Sequence, residues 1–207
     1  RLSTAVQGTH QRTELMRQGI GWDLLKANRE GVICLSGGRR GWLARLLRSG
    51  NEAAAARYGA KLGGIFTDNA YLSLEWHEEG DTAVNQALVA LGERFGLPPM
   101  VVQPVYTLQP AQKPSLRLLA AIDHNCRLAD VADEALVDEG DTAVATHWRS
   151  PDEIAELFAD FPDARARTGD IAARCRPALP DGRPLWPSLP LPAEQTPDEA
   201  LVIQAQS

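Results

Sequence analysis

The sequence predicts an α/β fold with a parallel sheet, on three observations. Short apolar runs typical of strands alternate along the chain with longer stretches of helical periodicity. One run is continuously apolar, as expected of a strand buried on both faces of a parallel sheet. Glycine and proline mark the ends of several segments. The strands are too few to close a barrel, so a barrel would need further strands before Arg1.

Composition and charge are those of an ordinary globular protein. Hydrophobic residues make up 44% and charged residues 23% of the chain, and 21 Lys and Arg against 27 Asp and Glu give a formal charge of −6. This acidity argues against a dedicated nucleic-acid module, which is normally basic. Cys34, Cys126 and Cys175 are too widely spaced for a disulfide framework or a metal motif, and they indicate buried, reduced thiols.

No segment has the character of a membrane span or a signal peptide. The apolar runs are shorter than the ~18 residues that a membrane span requires, and polar residues follow Arg1. A chain that begins with Arg rather than Met is expected to be a fragment. We therefore expect no membrane partner and a cytoplasmic location.

The stretch before residue 50 predicts a helix, a strand and a second helix. Trp22–Asn28 has apolar residues on one side. Gly31–Leu35 is a compact apolar run that predicts a buried strand. The turn Ser36–Gly38 then opens a helix that continues to about Arg48. Its predicted apolar stripe consists of Trp42, Leu43, Leu46 and Leu47.

Two longer helices and a strand follow. The predicted bounds are Glu52–Lys61 for the first helix, Ala70–Glu75 for the alternating strand and Thr82–Phe95 for the second helix. Asn51 and Asp81 are the expected N-caps of the helices. The first helix is expected to stop at Gly63-Gly64, and Gly96 with Pro98 ends the second.

The stretch Met100–Leu108 follows this helix stop and starts with an apolar run, so it predicts a buried strand. Gln103, Pro104 and Tyr106 stand where a strand of an α/β barrel presents side chains to a site. None of them is a good metal ligand, and Pro104 cannot donate to a sheet ladder. The strand end is therefore either an active site or the remnant of one.

The rest of the chain predicts helices, an acidic loop and an extended tail. The expected segments are a helix at Ser115–Ile122, a solvated loop with six acids at Asp130–Asp141, a helix after Ser150, a helix from Pro162 to about Cys175 and a helix start at Pro197. Ser150, Pro151 and Glu153 form a capping-box signature. Seven of the 14 prolines lie in 177–197. We predict an α/β domain at 1–176 and a proline-rich linker at 177–207.

The order of these motifs resembles the PHP domain of bacterial DNA polymerase III alpha subunits, the C-family replicases. GVICLSGG at 31–38 resembles the family's GLIxLSGC, and AYLSLEWH at 70–77 resembles FYLELQDH. The strand after GLP at 96–98 resembles GLPLVATNDVHYL, and SPDEIAELF at 150–158 resembles SPEEMxxLF. Residues 163–175 and 189–199 resemble ALxNTxEIAERC and FPVPxGxTPEEYL. The resemblance covers nearly the whole chain in order, without the family's opening H-x-H motif.

The resemblance implies part of a distorted seven-stranded β/α barrel, similar to a TIM barrel, with a proline-rich extension toward a polymerase palm. In some members of the family this domain binds divalent metals and has phosphoesterase or proofreading activity, and in others it is structural. The parent protein would be a DNA-directed DNA polymerase, a nucleotidyltransferase in DNA replication. The implied partners are the palm and thumb of that chain, a proofreading subunit and, indirectly, DNA.

The resemblance also implies that the family's metal positions are eroded here. Pro104 stands in place of an Asp, Tyr106 in place of a His, Ser73 in place of a Glu and Gly38 in place of a Cys, while His77 survives. Hard divalent ions prefer carboxylates and imidazoles. We therefore expect neither a metal cofactor nor catalytic residues in this segment.

Two other functions stay open on the residues alone. His77 with Glu75 and Glu78 could serve a divergent metal-dependent phosphoesterase or proofreading exonuclease. The turn formed by Gly37, Gly38, Arg39 and Arg40 could contact phosphate or the DNA backbone through its N–H groups and basic side chains. A tight turn followed by a solvated basic face is the favoured interpretation of that stretch.

Overall fold

The computed structural model describes residues 19–141, 143–176, 191 and 195–206. The chain divides into two compact units, Arg1–Arg174 and Cys175–Ser207. Residues 1–18 and most of the predicted proline-rich stretch 177–197 lie outside the described residues.

A parallel sheet forms the centre of the first unit. Its strands are β1 (Cys34–Leu35), β2 (Ala70–Leu74) and β3 (Pro99–Val101), in the order β1-β2-β3. The predicted α/β class with a parallel sheet is confirmed. The strand predicted at Gly31–Leu35 is wrong in two respects, because β1 is shorter and is not buried, with Leu35 43% exposed. The described residues contain this three-stranded sheet and no closed barrel.

The described residues contain eight α-helices, seven in the first unit and one in the second unit. They are α1 (Trp22–Ala27), α2 (Trp42–Arg48), α3 (Glu52–Phe66), α4 (Asp81–Phe95), α5 (Pro114–Asp123), α6 (Pro151–Leu157), α7 (Pro162–Arg174) and, in the second unit, α8 (Pro197–Gln206). Each predicted helix is present, with differences at its ends. The predicted helix stop at Gly96 is confirmed, and Gly96 has the left-handed conformation at φ +65.

The first difference lies before α2. A 3₁₀ turn spans Gly38–Arg40, and the α-helix begins only at Trp42, because Gly41 is extended. A Cβ at Gly41 would lie 2.2 Å from the carbonyl oxygen of Ser36, so the chain bends tightly here. Trp42, predicted to lie in the apolar stripe, is 63% exposed.

The second difference lies in α3, which runs through Gly63-Gly64 to Phe66 instead of stopping there. Gly59 and Gly63 serve packing, and neither Gly63 nor Gly64 terminates the helix. A Cβ at Gly59 would meet Leu91 at 3.0 Å, and one at Gly63 would meet the carbonyl oxygen of Phe95 at 3.2 Å. The small residues therefore let α3 approach α4 closely.

The third difference concerns the predicted strand Met100–Leu108, which is wrong beyond Val101. The last ladder bond is that of the Val102 N–H to the carbonyl of Leu74, at 2.9 Å. Pro104 has no N–H to continue the ladder, and the side chain of Tyr106 is 51% exposed. The N–H groups of Tyr106 and Thr107 donate instead to the carbonyl of Thr146.

Both faces of the sheet are covered, as expected for parallel strands. Leu72 and Leu74 face the main core, which also contains Phe158 after α6. Tyr71 and Met100 pack with Ile171 of α7 on the other face. All five residues of β2 are buried, so its alternating sequence does not correspond to one buried and one exposed face.

The acidic stretch predicted to be a solvated loop is partly buried. Val131 and Leu136 pack with Ala121 of α5 in a small separate core, and Asp138 is buried and paired with Lys113. The cysteines also differ from prediction, because Cys126 and Cys175 are exposed free thiols rather than buried ones. Among the described helices, none is both long and apolar enough to cross a membrane.

The predicted capping box at the start of α6 is present. The Ser150 hydroxyl accepts from the Glu153 N–H at 3.2 Å, and the Ser150 N–H donates to the Glu153 carboxylate at 2.6 Å. The backbone hydrogen bond from Ser150, followed by its side-chain hydrogen bond, lowers the pKa of Glu153 below its ordinary value.

This cap predicts a pH-dependent effect of Glu153→Gln. A carboxylate with a depressed pKa in the folded state stabilises the fold above its unfolded-state pKa, and the contribution disappears as pH falls through the folded-state pKa. The difference in free energy of unfolding between wild type and Glu153→Gln should therefore be larger at pH 7 than at pH 3, as measured by urea denaturation. Glu156→Gln, on the same helix and outside the cap, should show no such trend. An equal difference for Glu153→Gln at both pH values would contradict the prediction.

Candidate functional site

The candidate site lies where β1 and β2 end. In parallel α/β sheets, ligands bind at the carboxyl ends of the strands. Here β1 leads into the Gly37–Arg40 turn and β2 leads into Glu75 and His77, with Asp81 at the start of α4 and Asp141 in the acidic stretch. We call Arg39, Glu75, His77, Asp81 and Asp141 the edge cluster.

Glu75 occupies the turn that the sequence offered to an anion. Its carboxylate accepts the backbone N–H of Arg39 at 3.0 Å. Gly38 has φ +56, and a Cβ there would fall 1.6 Å from the Glu75 Oε1 atom. Glycine is favoured at this position by the positive φ, and its lack of a side chain leaves room for the Glu75 carboxylate. The internal carboxylate takes the place that the sequence alone left open to a phosphate.

The Arg39 side chain lies close to three acids at this edge of the sheet. Its guanidinium lies 2.6 Å from Asp141, 3.1 Å from Glu78 and 4.0 Å from Asp81. Burial opposes the charged form, but the hydrogen bond to Glu78 and the charges of Asp81, Asp141 and Glu78 outweigh it and raise the pKa of Arg39. Arg39 therefore joins the turn after β1 to α4 and to the acidic stretch.

Asp81 is the most buried acid of this group, with its side chain 4% exposed. Its carboxylate accepts the N–H groups of His77 at 2.9 Å and Glu78 at 3.3 Å, and it lies 3.1 Å from the guanidinium of Arg48. The prediction that Asp81 caps α4 is wrong, because Gly80 holds the cap position without a side-chain bond. Asp81 instead accepts hydrogen bonds from backbone N–H groups of the loop between β2 and α4.

The predicted basic face is exposed at Arg40, Arg45 and Arg48, and it is also paired with acids. Arg40 lies 3.4 Å from Glu139, and Arg45 also bonds Glu139. The four arginines at 39, 40, 45 and 48 each face at least one carboxylate. The acidic stretch thus provides carboxylates that pair with the arginines in and after the turn that follows β1.

His77 is enclosed, with its side chain 1% exposed. Its Nδ1 atom lies 3.0 Å from the carbonyl oxygen of Ala145, and its Nε2 atom lies 3.1 Å from Glu75. Both ring nitrogens are engaged within the protein. The pairing of His77 with Glu75 that the sequence suggested is present, whereas Glu78 bonds Arg39 instead.

The positions at which the resemblance implies metal ligands lie in different environments. Ser73 is buried, and its Oγ atom has no hydrogen-bond partner in the described part of the chain. The side-chain amide nitrogen and oxygen of Gln103 are also buried without a partner there. Tyr106 is half exposed. No group of three His, Cys, Asp or Glu side chains among the described residues is placed to hold an ion. One enclosed imidazole, a hydroxyl and a phenol do not fit a divalent metal.

Sequence reasoning missed Asp81, Glu139 and Asp141 as partners of the site. The available signal was the concentration of acids at 130–141 in a chain with a dense run of arginines at 39–48. Charge alone cannot assign the pairs, since Arg39 and Asp141 stand 102 positions apart.

The close approach of Gly38 to Glu75 predicts that alanine at position 38 lowers the free energy of unfolding. Alanine at Gly64, which has no such neighbour, is expected to have the opposite effect. Gly38→Ala should lower the free energy of unfolding by at least about 1 kcal/mol, because it places a side chain at positive φ and against a carboxylate. Gly64→Ala, in a helix with no atom near the new Cβ, should raise it by about 0.5–1 kcal/mol. Urea denaturation measures both. Adding Glu75→Ala to Gly38→Ala should recover part of the lost free energy of unfolding. No recovery would show that the contact with Glu75 does not cause the loss.

Comparison with known proteins finds similarity over most of the chain. A DNA polymerase III subunit alpha from Caulobacter vibrioides is 30% identical over 197 residues, which cover 93% of this chain and 16% of that protein. An error-prone DNA polymerase from Symbiobacterium thermophilum is 34% identical over 84% of this chain and 15% of its own length. The Escherichia coli DNA polymerase III subunit alpha is 31% identical over 78% of this chain and 14% of its own length.

The chain therefore spans about one sixth of the length of these relatives. No protein-family model matches it. The similarity relates the chain to one segment of DNA polymerase III alpha subunits.

Proposed function

We propose that this chain acts in bacterial DNA replication as a structural, PHP-type part of an alpha-subunit DNA polymerase. The observation that carries the proposal is the similarity to named DNA polymerases over 78–93% of the chain. The parallel sheet is consistent with part of the seven-stranded barrel that the resemblance implies. The parent protein would be a cytoplasmic DNA-directed DNA polymerase whose nucleotidyltransferase residues lie outside this segment.

The edge cluster supports a structural rather than a catalytic role. Glu75 fills the anion position on the turn, and Arg39 is held by acids from α4 and the acidic stretch. His77 is enclosed by protein. A substrate would have to displace these internal bonds, so neither a phosphoesterase nor a DNA-binding module is favoured.

We also propose that this segment functions without a metal cofactor. The ligand positions implied by the resemblance carry Ser73, Pro104 and Tyr106, and both nitrogens of His77 are bonded internally. The protein groups that would compensate a cation's charge instead compensate arginines.

An exposed apolar face on α5 supports packing against more polypeptide. Leu118, Leu119 and Ile122 are 52%, 59% and 67% exposed, and Leu128 beyond the helix is 50% exposed. Neighbouring apolar side chains of this size mark interaction surfaces. We propose that the palm or thumb of the polymerase covers this face, with a proofreading subunit as a further partner of the domain.

The metal-free proposal predicts the outcome of elemental analysis. The purified chain should retain zinc and manganese only at substoichiometric levels, and His77→Ala should not change the metal content. Hydrolysis of bis-p-nitrophenyl phosphate with added Mn²⁺ should equal the buffer rate. Near-stoichiometric metal that is lost in His77→Ala would contradict the proposal and favour the phosphoesterase.

The replication role predicts the phenotype of depleting the gene product in the cell that encodes it. Depletion of a main replicase should stop thymidine incorporation, whereas depletion of an error-prone polymerase should lower damage-induced mutation without stopping growth. Re-expression of the wild-type gene should restore either phenotype. Normal DNA synthesis together with normal induced mutation after complete depletion would overturn the proposal.

A further inference from the structure

A separate pocket lies beside the edge cluster, between α4 and α6. It has a volume of about 550 Å³. Its walls include Trp76 from the loop after β2, His147 and Arg149 from the segment before α6, and Leu157 and Phe161 from the end of α6 and beyond. The proposed polymerase role uses none of these side chains.

Arg149 distinguishes this pocket from the paired arginines of the edge cluster. Its guanidinium donates to the Trp76 carbonyl at 3.3 Å, and within the described part of the chain no carboxylate lies within 4.0 Å of it. Burial lowers the pKa of Arg149, and Glu153 acts in the opposite direction without forming an ion pair. A guanidinium has five N–H donors in a planar fork, so Arg149 retains donors for an oxyanion.

Trp76 provides a second donor without a partner. Its indole Nε1 atom is buried and makes no hydrogen bond within the described residues. Buried tryptophan N–H groups usually have partners. Arg149 thus contributes a polar group to a wall that also carries Trp76, Leu157 and Phe161. A few polar groups within an apolar lining are typical of ligand sites.

The rim of the pocket carries acids that limit which anion can enter. Glu153, Glu156 and Asp160 line it and are exposed to solvent. Their charges repel a polyanion such as a nucleic-acid strand. They favour a ligand that combines one carboxylate, for Arg149, with a nearby cation, for the rim. A polypeptide offers this combination together with an apolar side chain.

We propose that this pocket binds a peptide carboxylate flanked by an aromatic and a basic residue. Arg149 holds the carboxylate, Trp76, Leu157 and Phe161 contact the aromatic side chain, and the rim acids attract the basic one. The carboxylate could be a chain terminus or an acidic side chain, and the test separates these sources. The proposal does not depend on the polymerase role.

The test follows the ¹⁵N-indole resonance of Trp76 in the purified chain, assigned by its loss in Trp76→Phe. The probes are the dipeptide lysyl-phenylalanine, its carboxamide, the capped tripeptide acetyl-Lys-Phe-Asp-amide and inorganic phosphate. We expect saturable shifts with a Kd of the order of 1 mM for the dipeptide if a terminus is bound, or for the tripeptide if an acidic side chain is bound. The carboxamide and phosphate should cause no saturable shift.

Arg149→Gln should weaken binding about 10-fold or more, as expected for removing a charged partner. The matched control is Arg94→Gln, which makes the same change at an exposed residue of α4 outside the pocket lining and should alter Kd by less than about 2-fold. Arg149→Lys keeps the charge and loses the fork, so it should give an intermediate Kd.

Three results would overturn the proposal: equal binding of the dipeptide and its carboxamide with no binding of the tripeptide, equal binding by folded Arg149→Gln, or no saturable shift with either carboxylate probe. Saturation by phosphate alone would also overturn it, by showing a general anion site. If Arg149→Gln fails to fold, the comparison of acid and carboxamide on the wild-type chain and the Kd of Arg149→Lys still decide.

Discussion

The electrostatic attraction between Arg39 and its neighbouring acids is the interaction on which the described fold depends most. It lies in the turn after β1 and faces acids from the loop before α4, from α4 itself and from the acidic stretch. Without this cation, Asp81, Glu78 and Asp141 would approach one another as like charges, which is unfavourable at short distance. Three distant parts of the sequence are therefore held at one edge of the sheet by one guanidinium.

Burial determines how much each of these charges matters. Exposed ion pairs contribute little to stability, because water and salt screen them. Asp81 is 4% exposed and Arg39 is 20% exposed, so this part of the edge cluster is shielded. A shielded charge without a partner is costly, so the shielded part of the network is more sensitive to loss of a partner than its exposed pairs are. A site built this way is suited to fixing loops in place rather than to exchanging ligands.

Local signals in the sequence predicted the helices well. They could not predict contacts between residues that are distant in the sequence. The capping box at Ser150 and the stop at Gly96 involve neighbouring residues, and both are present. The glycines of α3 look like a helix stop unless the approach of α4 is known. Similarly, Met100–Leu108 looks like one apolar strand, but Pro104 cannot continue the ladder and the chain turns to Thr146. At the site, proximity in sequence raised the pairing of His77 with Glu75 only as an open alternative, and it gave no indication of the role of Asp141.

The close approach of Glu75 to Gly38 constrains how these two positions can evolve. The resembled family pattern has Cys in place of Gly38 and Gln in place of Glu75. In this chain position 38 carries no side chain, and the carboxylate of the facing Glu75 accepts a hydrogen bond from the turn's backbone. A side chain restored at position 38 would exclude the carboxylate from its present position. The two sites should therefore covary among homologues, and a reversion at one should be tolerated only after a change at the other.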